Sequence, residues 1–180
     1  AELRAATSGD GVVFRERMAT RGRGSPRAVL SLRAEIAGMD RFLADPAHPV
    51  SMRGAIEVEG LVSRAEIMGT LSLFPEGGQE AMSYTLRFDD DQGRAWRLSG
   101  VKTVRSRGPV ALLRGLTTLH TEITPVDAEA GENRRLVVSI GLRDLAALGA
   151  SLRGRGFTRA RRLRAVARFA SFFATSALRR

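Results

Sequence analysis

The amino-acid sequence predicts a mainly β protein. The expected fold is an antiparallel meander forming a barrel or barrel-like sandwich, lipocalin-like in general shape, with two carboxy-terminal helices. Three observations carry this. Runs of alternating apolar and polar residues recur along the chain, and a period of two marks a strand with one buried and one wet face. The breaks between runs are short and rich in Gly or Asp, as at Pro75-Glu-Gly-Gly78 and Asp89-Asp-Asp-Gln-Gly93, where Gly is available for the positive φ of a hairpin turn. Eight such runs follow at roughly even spacing before the period changes to a helical one, the pattern of a barrel or a two-sheet sandwich.

Residues 1–10 are small and polar and read as a frayed lead-in. The chain begins with Ala1 rather than Met, as a processed product or a piece of a longer polypeptide would. Gly11 to Met18 is the first strand, followed by the loop Thr20-Arg-Gly-Arg-Gly-Ser-Pro26. In the second strand Leu30, Leu32, Ala34 and Ile36 share a face. Asp40 to Asp45 makes one or two helical turns, with Gly38 and Asp40 as start signals and Pro46 as the stop. His48, in the connection that follows, is expected to be exposed. Met52, Gly54, Ile56 and Val58 mark the next strand.

The central meander comes next. Ile67, Gly69, Leu71 and Leu73 fall on one face of its first run, and Met82, Tyr84, Leu86 and Phe88 on one face of its second. Trp96, Leu98 and Gly100 share a face of the third, and Lys102 continues that parity, which points an ammonium group inward. Leu116 to Glu122 is the fourth run. An acidic loop, Asp127 to Glu132, separates it from the strand Arg134 to Gly141. Leu142, Leu145, Leu148 and Leu152 then follow helical spacing. Gly154 and Gly156 break the pattern, and Thr158 is placed to cap a longer helix running to about Leu178. The chain thus divides into a β domain over residues 11–152 and a basic amphipathic helix over 153–180.

A chain of 180 residues suits one domain with a substantial core. It contains no cysteine, which excludes disulfides, thiol chemistry and Cys-ligated zinc. No apolar run reaches the roughly 18 residues of a membrane-spanning helix, and no signal-peptide pattern opens the chain. A cytoplasmic or membrane-peripheral location is therefore expected. Charge is unevenly placed: all 19 acidic and 20 of the 29 basic residues precede Ser151, and the other nine basic residues follow it. The body carries +1 and the tail +9.

Catalytic and metal-ligating patterns are absent from the sequence. His48 and His120 are the only histidines, and neither belongs to a metal-ligand or nucleophile–base motif. Asp89-Asp-Asp91 lacks the spaced ligands and terminal Glu of a calcium loop and reads as a solvated turn. No cofactor is expected. Along the tail helix Leu163, Val166, Ala167, Ala170, Phe173, Ala174 and Ala177 form a wide apolar face, expected to dock on protein, with Arg161, Arg164 and Arg168 opposite it in water. Such a helix can also lie on an anionic membrane surface. A nucleic-acid partner is not expected, because the surplus arginines sit in a tail without the basic groove and aromatics of a stacking platform.

Several stretches together resemble the non-catalytic region that follows the flavin-binding body in large bacterial oxidoreductases of the glucose-methanol-choline type, the cholesterol-oxidase-like members. They are Arg41-Phe-Leu-Ala-Asp-Pro-Ala-His48, the Gly-x-Leu-x-Leu-Phe run at 69–74, Met82-Ser-Tyr84, Gly100-Val-Lys-Thr-Val104, Thr117-Thr-Leu119 and Ala167-Arg-Phe-Ala-Ser-Phe-Phe173. The likeness runs from about Gly11 to Phe173. It departs from the family where Ala111-Leu-Leu-Arg-Gly115 replaces acidic and tryptophan residues and where His120 replaces a tyrosine. The flavin fingerprint is absent from the chain. The resemblance implies an accessory domain, with the chemistry done by an oxidoreductase domain or polypeptide and an apolar small molecule, a lipid or sterol, as ligand. Tyr84, Trp96, Lys102, Thr117, Thr118 and His120 are the candidate pocket or interface residues. Two other readings stand beside this one: a small stand-alone enzyme with His120 as base, and a purely structural interaction domain.

Overall fold

The computed structural model describes residues 10–21, 26–77, 81–103, 114–127 and 133–179. The lead-in over 1–9, residues 22–25 of the Arg/Gly loop, residues 104 and 111–113 of the family-like stretches and residues 128–132 of the acidic loop lie outside them. Eight strands follow in order: β1 (Gly11–Thr20), β2 (Ala28–Ile36), β3 (Pro49–Val58), β4 (Val62–Leu73), β5 (Met82–Asp89), β6 (Ala95–Lys102), β7 (Thr118–Pro125) and β8 (Arg134–Ser139). Each pairs antiparallel with the next, and β8 returns to β1, closing an up-and-down barrel. Helix α1 (Met39–Ala44) lies between β2 and β3, while α2 (Leu142–Ser151), a short strand β9 (Arg153–Arg155) and α3 (Arg159–Leu178) follow the barrel.

The alternation read from sequence is the alternation of burial. Met82, Tyr84, Leu86 and Phe88 face inward on β5, as do Trp96, Leu98, Gly100 and Lys102 on β6. Around the barrel Phe14, Ala34, Met52, Gly69, Leu86, Leu98, Ile123 and Arg134 succeed one another in register. The circuit does not come back to Phe14, because β8 meets β1 only through Ser139 and Val138, opposite Ala19 and Thr20. This stagger is what strand tilt imposes on a closed barrel. It leaves β1 without a barrel partner on that side from Gly11 to Met18. Two later elements fill the gap: β9 pairs with Gly11–Val13, and Ser151 Oγ, at the end of α2, accepts the Arg15 N–H at 2.8 Å. The glycine-rich stretch expected as a simple break therefore extends the sheet.

Glycine serves the turns where it was expected, with Gly77 at φ 73 and Gly93 at φ 80. Thr158 caps α3, its Oγ1 accepting the Arg161 N–H at 3.2 Å. Helix α3 covers the barrel end formed by the β2–β3 and β4–β5 connections. Phe169 lies 5.7 Å from Phe14, Phe172 lies 5.0 Å from Phe42, and Phe173 lies 5.2 Å from Phe74, ring centre to ring centre.

Three expectations for this end are corrected. The docked face carries Ala165, Phe169, Phe172, Phe173 and Ala177, whereas Leu163 is 62% exposed and Ala167, Ala170 and Ala174 face water. Three phenylalanines offer more apolar area than an alanine stripe, and they set the rotation of the helix. Arg168 consequently sits at the edge of the interface, 2.7 Å from Asp40, rather than free in water. His48 is buried, with its ring 4.6 Å from Phe172. Its backbone, like that of Phe74, is left-handed, with φ of 43 and 48. Such non-glycine conformations cost on the order of 1–3 kcal/mol and persist where surrounding packing holds them.

Candidate functional site

Among the described residues the barrel interior is largely apolar: Thr121 faces inward and donates to the Leu136 carbonyl at 2.9 Å, and the charged groups gather at one place. Glu16, Tyr84 and Lys102 are buried to 4% exposure or less and meet inside the lumen. The Tyr84 hydroxyl lies 2.9 Å from Glu16 Oε2 and 3.1 Å from Oε1, and it donates to the carboxylate. Lys102 Nζ donates to Glu16 Oε1 as a salt bridge. The ammonium also lies 5.2 Å from the centre of the Tyr84 ring, within cation–π range. Each position follows from parity. Tyr84 is opposite Gly100 and Met82 opposite Lys102, so phenol and ammonium are diagonal neighbours on one inner face. Gly100 bears no side chain to compete with the ring, and a Cβ there would come within 3.0 Å of Leu119. Glu16 reaches the pair across the lumen from β1, which is not a neighbour of β5 or β6.

The electrostatics follow from this burial. Desolvation, with the Glu16 carboxylate and its hydrogen bond adding to it, pushes the Tyr84 hydroxyl well above its ordinary 10.0. The phenol is held as a neutral donor. Together the three groups put a donor, an acceptor and a positive charge in a buried, largely apolar surrounding, with the phenol and the ammonium both engaged by the carboxylate.

The other predicted residues lie elsewhere. Trp96 is buried on the inner face but at the opposite end, where its Nε1 donates to Asp90 Oδ2 at 2.8 Å. The Arg94 guanidinium stacks 5.1 Å from its ring centre. Trp96 forms part of the wall of an open polar basin of about 1160 Å³ at the end bearing the β3–β4 and β5–β6 turns. Asp90 and Asp91 are both engaged there: Asp90 Oδ1 accepts from the Gln92 and Arg94 N–H groups, and Asp91 accepts from Ser63. Thr117 ends a helical turn at 114–117, and Thr118 opens β7 opposite Ser139; both are half-buried.

His120 is exposed on the outer wall, opposite Val101 and Val137. It lines a shallow outer groove with Glu122 and Arg135, and its solvent-facing position counts against its role as base in a stand-alone enzyme. Of the six candidates the fold brings together Tyr84 and Lys102, and it adds Glu16, which sequence reasoning missed. The signal was there: Glu16 occupies the parity of Val12, Phe14 and Met18. Compared with known proteins, the chain matches no family model, no curated protein and no solved structure.

Proposed function

We propose that the chain is a non-catalytic accessory barrel that holds an apolar small molecule, a lipid or sterol, by its oxygen-bearing end at Glu16, Tyr84 and Lys102. It would work beside an oxidoreductase of the kind its ordered motifs resemble. The observation that carries this reading is the buried Glu16–Lys102 pair itself. Taking two charges out of water costs several kcal/mol per ion, and apolar side chains of equal volume are commonly as stabilising or more so. A barrel that needed only to be stable would do as well without the pair. An eight-stranded barrel is of the size that holds either packed side chains or one small ligand, and a few polar groups in an apolar enclosure orient such a ligand.

The test is a titration of the full chain with a series of sterols and fatty acids, read by thermal melting and by the emission of Trp96. A ligand should raise the melting temperature of the wild type and lose affinity in the double variant Glu16→Leu/Lys102→Met. Either an absence of response to every ligand or equal binding by the double variant overturns the reading. A second reading, a purely structural interaction domain, is favoured by one observation: Glu16 already accepts from both Lys102 and Tyr84. The same titration decides between the two.

A further inference from the structure

The register places arginines in a row on the outer wall. Arg15 is directly opposite Arg33, and Arg33 is directly opposite Arg53, so three guanidinium groups line up across β1, β2 and β3. Like charges in directly opposed positions repel and weaken a sheet. Counter-charges are few. Arg33 approaches Glu35 at 4.0 Å and Arg17 approaches Asp144 at 3.7 Å. Among the described residues Arg53 has no carboxylate within ion-pair distance, and Arg15 is held only through its backbone to Ser151. The row also borders an open groove. Helix α2 forms a wall along it, leaving a groove of about 460 Å³ lined by Arg15, Arg17, Arg33, Arg53, Asp144 and Ser151. The row continues on the far side of the barrel, where Met68, Arg87 and Arg97 follow Arg53 in register, but no helix wall accompanies it there.

We propose that this groove is an anion site for a compact oligophosphate group, independent of the interior ligand. Three chemical features select it. Guanidinium forks pair with phosphate oxygens in a bidentate manner. Three strands set two spacings of about 4.8 Å between the arginines, a span that two linked phosphates cover better than one. The helix wall limits length, which favours a compact group over a polymer.

Isothermal titration of the full chain with inorganic pyrophosphate at low ionic strength tests the site. The wild type should bind one equivalent, and binding should weaken as salt is raised. Arg15→Ala and Arg53→Ala should each weaken it about tenfold, the loss of one charge-assisted contact. Asp144→Asn should tighten it, while Arg87→Ala and Arg97→Ala should leave it unchanged. A parallel arm uses phosphatidylcholine vesicles carrying diacylglycerol pyrophosphate. Pyrophosphate binding without vesicle binding assigns the groove to a free phosphate compound. Vesicle binding that Arg15→Ala and Arg53→Ala abolish assigns it to a lipid headgroup. The proposal fails if neither probe binds saturably. It also fails if Arg87→Ala and Arg97→Ala weaken binding as much as the groove variants do, since that marks diffuse attraction along the whole row, as a nucleic-acid strand would use.

Discussion

Replacing Lys102 with methionine is the sharpest perturbation of this barrel, because it changes charge with little change in shape. The ammonium is 1% exposed and Glu16 is 4% exposed. In the variant the carboxylate remains buried with the Tyr84 hydroxyl as its remaining charge-stabilising partner. Removing one member of a buried pair costs about 3–5 kcal/mol. For a chain of this length each kcal/mol moves the melting temperature by about 2–4 °C, so Lys102→Met should melt roughly 6–20 °C lower. The double variant Glu16→Leu/Lys102→Met has no uncompensated charge and should recover most of that loss. It leaves the Tyr84 hydroxyl without its acceptor, worth about 1–3 kcal/mol, and adding Tyr84→Phe should restore that too. Urea denaturation followed by circular dichroism gives the three free energies, and the single variant Glu16→Leu completes the cycle that yields the coupling of the pair. The reasoning is refuted if Lys102→Met falls within about 1 kcal/mol of the wild type, or if the double variant is no more stable than the single one.

Three further outcomes are expected. Tyr84 is the sole tyrosine, so phenolate absorbance reports it alone. Its folded value is raised above the ordinary 10.0, so the stability it contributes is complete below pH 10 and is lost as pH rises beyond it; phenolate should appear together with unfolding, and a reversible midpoint near 10 in folded protein would refute this. Phe169→Ala, at the centre of the α3 contact, should destabilise by about 3 kcal/mol, whereas Leu163→Ala should stay within about 0.5 kcal/mol; equal losses in urea unfolding would refute the observed rotation of the helix. Asp90 is held below its ordinary 3.8, first by the Trp96 hydrogen bond and then by the Arg94 backbone N–H. Its bond to Trp96 should therefore persist above pH 3.8 and fail as pH falls through the lower folded value, read as a change in Trp96 emission that Asp90→Asn removes.

Most of the barrel was legible in the sequence because parity is local. Lys102 reads as inward from Trp96, Leu98 and Gly100 alone, and Thr158 reads as a cap from the residues beside it. What escaped depends on partners far along the chain. Glu16 has the inward parity of Val12, Phe14 and Met18, but its partners appear only when closure brings β1 across from β5 and β6. His48 becomes buried because a helix more than a hundred residues later lies over it. The strand β9 has too little alternation to be read in three residues; it forms because the stagger leaves the lower edge of β1 open. The row Arg15, Arg33, Arg53 exists only in the register, which no window along the sequence contains.

That open edge of β1 also imposes an order in time. Strands β1 to β8 can form as successive hairpins, each pairing with its neighbour in sequence. Closure is different in kind: one edge of β1 waits for β8, for β9 and for Ser151, the last of these 136 residues away from Arg15. Contacts so distant in sequence are the slow ones in folding, since loop entropy is lost before they repay it. Until they form, β1 presents unpaired backbone along its outer side. Arg15 and Arg17 lie on that edge, and charged side chains keep an unpaired strand from adding to another chain. The seam should therefore be the last part of the barrel to close and the first to open, and its amides on β1 should exchange ahead of those in the central hairpins.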